Sequence, residues 1–261
     1  MKIIALSNHK GGVGKTTTAV NLGAYLAATG QRTLILDLDP QANATSALGM
    51  IEEHTSIYGA MLDGTGIADL PIPTRYENLS ILPANLDLSG VEVELAGDPN
   101  RLTRLRNPLH AYRETAPYDY LLIDCPPSLG VLMTCALAAA DEIIIPVQCE
   151  YLSLIGLAKM TELFFRIRET GVNPGMRIEG IILTMADDRT NLSRSVISDV
   201  REQMHDVAYN TVIPRNIRLG EAPSHGMAIL EYAPDSKGAE AYQELCQEFL
   251  ARQGAEVLAS V

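Results

Sequence analysis

Residues 10–17 read Lys-Gly-Gly-Val-Gly-Lys-Thr-Thr, between an apolar run (Lys2 to Ser7) and a helix-forming run (Thr16 to Thr29) ended by Gly30. A strand that turns through a glycine loop straight into a helix is the opening unit of a parallel α/β sheet, and the loop itself is a phosphate cradle. Its glycines allow tight turns and let backbone N–H groups approach phosphate oxygens. The following helix adds the positive end of its dipole. Gly11, Gly12, Val13, Gly14, Lys15, Thr16 and Thr17 are thus candidate nucleotide-binding residues. Lys15 is placed to reach the β- and γ-phosphates, and the Thr16 hydroxyl to bind Mg²⁺.

The rest of the chain alternates in the same way. Thr33 to Leu36, Leu79 to Leu82, Tyr120 to Ile123, Glu142 to Val147, Ile178 to Thr184 and Val207 to Ile213 read as strands. Leu152 to Glu169, Leu192 to His205 and Ser236 to Gln253 read as helices, the last with Ala239, Tyr242, Leu245, Cys246 and Phe249 on one face. Near-continuous apolar strands between helices predict an α/β fold: a mostly parallel twisted sheet with helices on both faces. The length of 261 residues suits a single domain, 1–261. The segment from about Glu52 to Arg75, rich in Gly, Pro and Thr, reads as an insertion with short helices.

Two apolar strands end in acid. Leu34-Ile35-Leu36 runs into Asp37-Leu38-Asp39-Pro40, and Tyr120-Leu121-Leu122-Ile123 into Asp124-Cys125-Pro126-Pro127. Ligands of open α/β sheets lie outside the carboxyl ends of the strands, so these acids fall beside the phosphate loop. Asp39 is the candidate to position the attacking water, with Asp37 supporting either the metal or the loop. Asp124 acts on Mg²⁺ through water. The two prolines suit a loop that senses the γ-phosphate.

Composition removes other classes. The net charge of −12 argues against a generic nucleic-acid coat, though not against a local basic patch. Cys125, Cys135, Cys149 and Cys246 include no Cys-x-x-Cys pair, which disfavours a zinc ribbon, a dithiol site or an iron–sulfur scaffold. No signal peptide precedes the first strand, and no apolar run approaches a membrane span. A cytoplasmic protein is expected.

The strings HKGGVGKTTTAVNLGAYLA, LDLDPQANAT, YDYLLIDCPPSLG, PVQCEYLSLIGL and IPRNIRLGEAPSHG resemble, in order, those of the ParA/Soj chromosome- and plasmid-partition ATPases. These are deviant Walker A proteins, marked by a second lysine, here Lys10, at the start of the loop. The likeness runs from Ile3 to about Tyr242 and is of the short type without an N-terminal helix-turn-helix domain. It implies ATP and Mg²⁺ as cofactors, with Lys10, Lys15 and Asp39 catalytic and Thr16, Asp39 and Asp124 at the metal. It implies an adenine site bordered by Thr184-Met185 and by Pro214, Arg215 and Asn216. Lys10 then serves the partner's ATP in a sandwich homodimer, and Glu150 contacts nucleotide or partner across it. The family often places an aromatic residue where Ala186 stands, so base stacking there is not expected. His9 is a loop variant and not a base.

The resemblance further implies an ATP-dependent dimer that binds double-stranded DNA without sequence preference, hence on the nucleoid, and a ParB-type partner that stimulates hydrolysis. Between Arg189 and Arg218 the chain has five arginines against three acids. Val196, Val200 and Met204 form the buried stripe of the intervening helix, and Arg194 and Arg201 share another face. Arg189, Arg218 and Lys237 are the candidate DNA contacts. A MinD-like membrane or other cargo-positioning ATPase is the alternative, but the tail Glu248 to Val261 has one arginine and two acids, a poor lipid anchor.

Overall fold

The computed structural model describes residues 1–50 and 56–254. Its strands are β1 (Lys2–Leu6), β2 (Thr33–Asp37), β3 (Ile72–Pro73), β4 (Leu79–Leu82), β5 (Tyr120–Asp124), β6 (Glu142–Gln148), β7 (Arg177–Ala186) and β8 (Ala208–Pro214). They form one sheet in the order β3-β4-β2-β5-β1-β6-β7-β8, parallel throughout except for β3 against β4.

Successive side chains of a strand point to opposite faces. Ile3, Ala5, Leu34, Leu36, Leu121 and Ile123 join one core; Ile4, Leu6, Ile35 and Leu122 join the other. The first core is covered by α3 (Tyr58–Leu62), α4 (Leu88–Glu94), α5 (Thr103–Arg113), α6 (Val131–Ala139), α7 (Tyr151–Glu169) and α8 (Asn191–Gln203). The second is covered by α1 (Lys15–Ala28), α2 (Asn43–Ala47), α10 (Ile229–Tyr232) and α11 (Lys237–Arg252). Helix α9 (Ile217–Glu221) and a 3-10 turn (Ala222–His225) follow β8. Packing on both faces is what a parallel sheet of near-continuous apolar strands requires.

Each strand expected from the sequence is present, with ends moved by a residue or two. The segment expected as an insertion holds α3 and the edge strand β3; residues 51–55 of it lie outside the described residues. All four cysteines are buried and free. Both rims of the sheet carry a stop. At one, β3 is two residues long and ends in Pro73. At the other, the Glu248 carboxylate of α11 accepts from the backbone N–H of Asn210 (2.8 Å) and Thr211 (2.9 Å) of β8.

Candidate nucleotide site

The chain leaves β1 at Leu6 and turns into α1. Gly12 (φ 72°) and Gly14 (φ 91°) take left-handed backbone that other residues rarely adopt. Gly14 is the N-cap of α1 and supplies no side-chain acceptor, so the first-turn amides are left for an anion. Lys15 is 6% exposed, and its ammonium donates to the Lys10 carbonyl at 3.2 Å. Burial lowers its pKa, and Asp124 is the leading charge opposing that shift.

β2 delivers Asp37, whose carboxylate accepts from Thr45 N (2.8 Å), Thr45 Oγ1 (2.7 Å) and Asp39 N (3.2 Å). Burial still lifts its pKa to about 6. Of the two tasks open to Asp37, its bonds match loop support: it ties α2 and the backbone of Asp39 to the strand end. Asp39 is 7% exposed and accepts from Gln41 N at 3.0 Å.

β5 places Asp124 beside Asp37 in register. Asp124 is fully buried, and neither carboxylate oxygen has a hydrogen-bond partner. Burial drives its pKa well up, the nearby Asp37 adds to this, and the Thr16 hydroxyl works against it. Orphaned carboxylate oxygens beside a hydroxyl are a donor set for a hard divalent cation, so Thr16, Asp39 and Asp124 fit Mg²⁺. No cluster of three or more His, Cys, Asp or Glu able to hold a metal occurs among the described residues.

Beside the loop, one cleft is lined by Gly14, Thr17, Thr184, Met185, Ile213, Pro214, Arg215, Asn216, Leu219, Gly220 and Tyr242. It gathers every residue expected to border an adenine. Thr184 Oγ1 donates to the Val13 carbonyl at 2.9 Å, locking β7 to the loop. Met185 has φ 53°, strained for a non-glycine residue. Ala186 is buried and does not line the cleft. Leu219 and Tyr242 were missed in the sequence. Tyr242 read as a core residue of the last helix, and its hydroxyl meets Thr18 Oγ1 at 3.1 Å.

Lys10 does not line this cleft. Its ammonium lies 3.5 Å from Glu150 Oε2 and 3.4 Å from Ser153 Oγ. Glu150 also accepts from Gln148 Nε2 at 2.7 Å and stands 4.0 Å from Arg215. His9 packs against Gly156 of α7, and burial lowers its pKa.

The arginines singled out for DNA follow neighbouring strands. Arg189 lies just past β7 and pairs with Asp187 at 2.8 Å; that hydrogen-bonded pairing pulls the Asp187 carboxyl down to about 2. Arg218 lies just past β8 and pairs with Glu221 at 2.8 Å. Lys237 is exposed on the first turn of α11. On α8, Val196 and Val200 are buried, Met204 is half-buried, and Arg194 and Arg201 are exposed.

A glycine loop feeding an uncapped helix, with strand-end carboxylates at the same edge of a parallel sheet, defines a P-loop nucleoside-triphosphatase domain. Residues 1–178 match the AAA domain family. The chain is 48% identical over 252 residues to the sporulation initiation inhibitor protein Soj of Bacillus subtilis (strain 168), covering 96% of this chain and 98% of that protein. It is 48% identical over 249 residues to the chromosome-partitioning ATPase Soj of Thermus thermophilus, covering 95% of each. A solved structure of cobyrinic acid a,c-diamide synthase from Mycobacterium smegmatis, with bound ADP and magnesium, matches with TM-score 0.81 and 32% identity. That match covers 97% of this chain and 96% of the other. The chain belongs to the Soj/ParA family of chromosome-partitioning ATPases.

Proposed function

We propose that this chain is an Mg²⁺-dependent ATPase that switches between a monomer and a DNA-bound dimer, and that a ParB-type partner stimulates its hydrolysis. The observation that carries the reading is the convergence of the uncapped α1 N-terminus, Lys15, Asp39 and the unpartnered Asp124 at one edge of the sheet. The loop amides and Lys15 bind the phosphates of ATP. Asp39 orients the attacking water. Thr16 and Asp124, with Asp39, hold Mg²⁺, which when bound neutralises charge on the transferring phosphoryl group. The cleft from Thr184 to Tyr242 takes the base.

The absence of Lys10 from the lining of its own cleft supports a sandwich in which it serves the partner's nucleotide. Basal turnover is slow in this reading, because the site is complete only in the dimer. Arg189, Arg218 and Lys237 supply phosphate contacts that read no bases. The protein then resides in the cytoplasm on the nucleoid, and residues 1–261 act as one domain. No helix among the described residues is long and apolar enough to cross a membrane. A membrane-positioning role is less favoured because the apolar face of α11 is spent inside, on Ala239, Tyr242, Leu245, Cys246, Phe249 and Leu250. Residues 255–261 of the tail weighed as a lipid anchor lie outside the described residues.

The test is phosphate release from Mg-ATP with and without duplex DNA and a ParB-type protein, alongside sedimentation. Stimulation only when both are present, with an ATP-dependent dimer, is the expected result. A chain that stays monomeric with ATP and ignores DNA would overturn the reading.

A further inference from the structure

Helix α6 begins directly after the loop, residues 125–130, that leaves Asp124. Its own N-cap residue is Gly130, which has no side chain to offer. The cap comes instead from Glu92 on α4. One carboxylate oxygen accepts from Val131 N at 2.8 Å and the other from Leu132 N at 3.3 Å. A carboxylate there answers both the unpaired amides and the helix dipole.

Gly130 has ordinary extended backbone (φ −86°, ψ −166°), which any residue adopts. A Cβ at this position would stand 2.2 Å from Glu92 Oε1. The demand for glycine at 130 therefore comes from the Glu92 side chain and not from the backbone. The middle of the same loop passes the phosphate loop: exposed Pro127 has its Cβ 3.6 Å from where a Cβ on Gly11 would be. The segment after Asp124 is thus held at its start by β5 and at its end by Glu92, with its middle beside Gly11. Helix α4 is itself anchored, with Leu88 and Val91 fully buried and Glu94 accepting from the Tyr58 hydroxyl at 2.6 Å.

We propose that Glu92 is a positioning residue for hydrolysis: by capping α6 it sets the end of the loop that runs from Asp124 past Gly11. The proposal rests on the ATPase reading given above. Glu92 touches no reacting atom; it acts through the loop. A loop that must respond to the γ-phosphate needs one fixed end to move against, and this cap supplies it from outside the nucleotide site.

The experiment uses the full chain and four variants: Glu92→Ala, Glu92→Gln, Gly130→Ala and the double Glu92→Ala/Gly130→Ala. Gly130→Ala expels the carboxylate without touching Glu92. Each single alanine variant should lower kcat about fivefold, the scale of losing one charged cap, with the Kd for ATP within about twofold of the parent. The double variant should be no slower than either single one, because both changes remove the same interaction. Glu92→Gln, which keeps one acceptor, should fall between. Hydrogen exchange at Val131 and Leu132 should speed up in all four. Faster exchange with unchanged kcat reduces Glu92 to a structural cap and overturns the proposal, as do losses that multiply in the double variant. A parent chain that does not hydrolyse ATP sinks the underlying reading and the proposal together. An active parent with unaffected variants sinks the proposal alone.

Discussion

The Lys10 ammonium lies 3.5 Å from the Glu150 carboxylate of its own chain. The lysine assigned to a partner's phosphates is therefore held in cis before any partner arrives. Both side chains are about a third to a half exposed (32% and 46%), so the pair contributes no more than about 1 kcal/mol. Glu150→Gln should release Lys10 and, with two pairs broken per dimer at up to about fivefold each, lower the protein concentration needed for ATP-dependent dimerisation by up to roughly 25-fold. Sedimentation velocity across a protein dilution series reads this. A shift in the other direction would mean that Glu150 works across the interface.

Lys15→Ala should weaken ATP binding at least about 100-fold, the worth of one strong charge-assisted hydrogen bond. Because Lys15 is buried with a lowered pKa, its removal takes away a desolvated charge. The nucleotide-free melting temperature should hold or rise, while the increase that ATP normally gives disappears. Thermal melts with and without Mg-ATP check both halves.

Asp39→Ala should leave ATP binding nearly intact and cut hydrolysis about 100-fold or more, the usual effect of losing a group that orients or activates a nucleophile. A dimer that persists on DNA with ATP is the expected species. A variant that is monomeric with ATP present argues against the role given to Asp39.

The phosphate loop, Asp39 and Asp124 were legible because each is a local string at the end of an apolar strand. Helix α6 was not legible. Its sequence is apolar on nearly every side, so no polar stripe reveals a period, and the cap that starts it comes from Glu92, almost forty residues upstream. Helix α5 was hidden by Pro108, which reads as a breaker although it sits inside the helix. Strand β3 is too short to show alternation. Leu219 and Tyr242 are seen as cleft residues only once α9 and α11 are packed beside the loop. The acids that pair with Arg189 and Arg218 are two and three residues away. Both lie just outside the Arg189 to Arg218 window in which the charges were counted.

Those pairings bear on DNA binding. In the DNA-bound state proposed above, phosphates displace Asp187 from Arg189 and Glu221 from Arg218, so affinity should fall steeply with salt. Changing Arg189 and Arg218 together to alanine should weaken binding equally for unrelated duplexes. It should also reduce the slope of log K against log[salt] by about 1 for each phosphate left without its arginine. Fluorescence anisotropy at several salt concentrations measures it. Unchanged ATP-dependent binding by the double variant would remove these residues from the interface.

Glu179, the acceptor of the Tyr209 hydroxyl, predicts a pH effect on stability. Burial lifts its carboxyl from the ordinary 4.5 to about 7, and the Tyr209 hydroxyl donates to it. Arg252, stacked 3.9 Å over the Tyr209 ring, Lys2 and Glu142 are the nearby charges. A carboxyl whose pKa is raised on folding favours the fold fully below about 4.5, and this contribution is lost as pH climbs through about 7. Glu179→Gln should match the parent at pH 5 and melt several degrees higher at pH 8, roughly 3–6 °C. Equal melting curves at pH 8 would show that Arg252 already compensates the charge.

The two stopped rims of the sheet have a consequence for crowding. An open strand edge is a template on which another chain can add a strand, and the hazard grows with local concentration. Here Pro73 withholds a donor at one rim, and the Glu248 carboxylate occupies two backbone donors at the other. Many copies gathered on one stretch of polymer would meet side by side without a free ladder to extend. In the DNA-bound state proposed above, copies massed at high density would meet at sheet rims that offer no strand to extend.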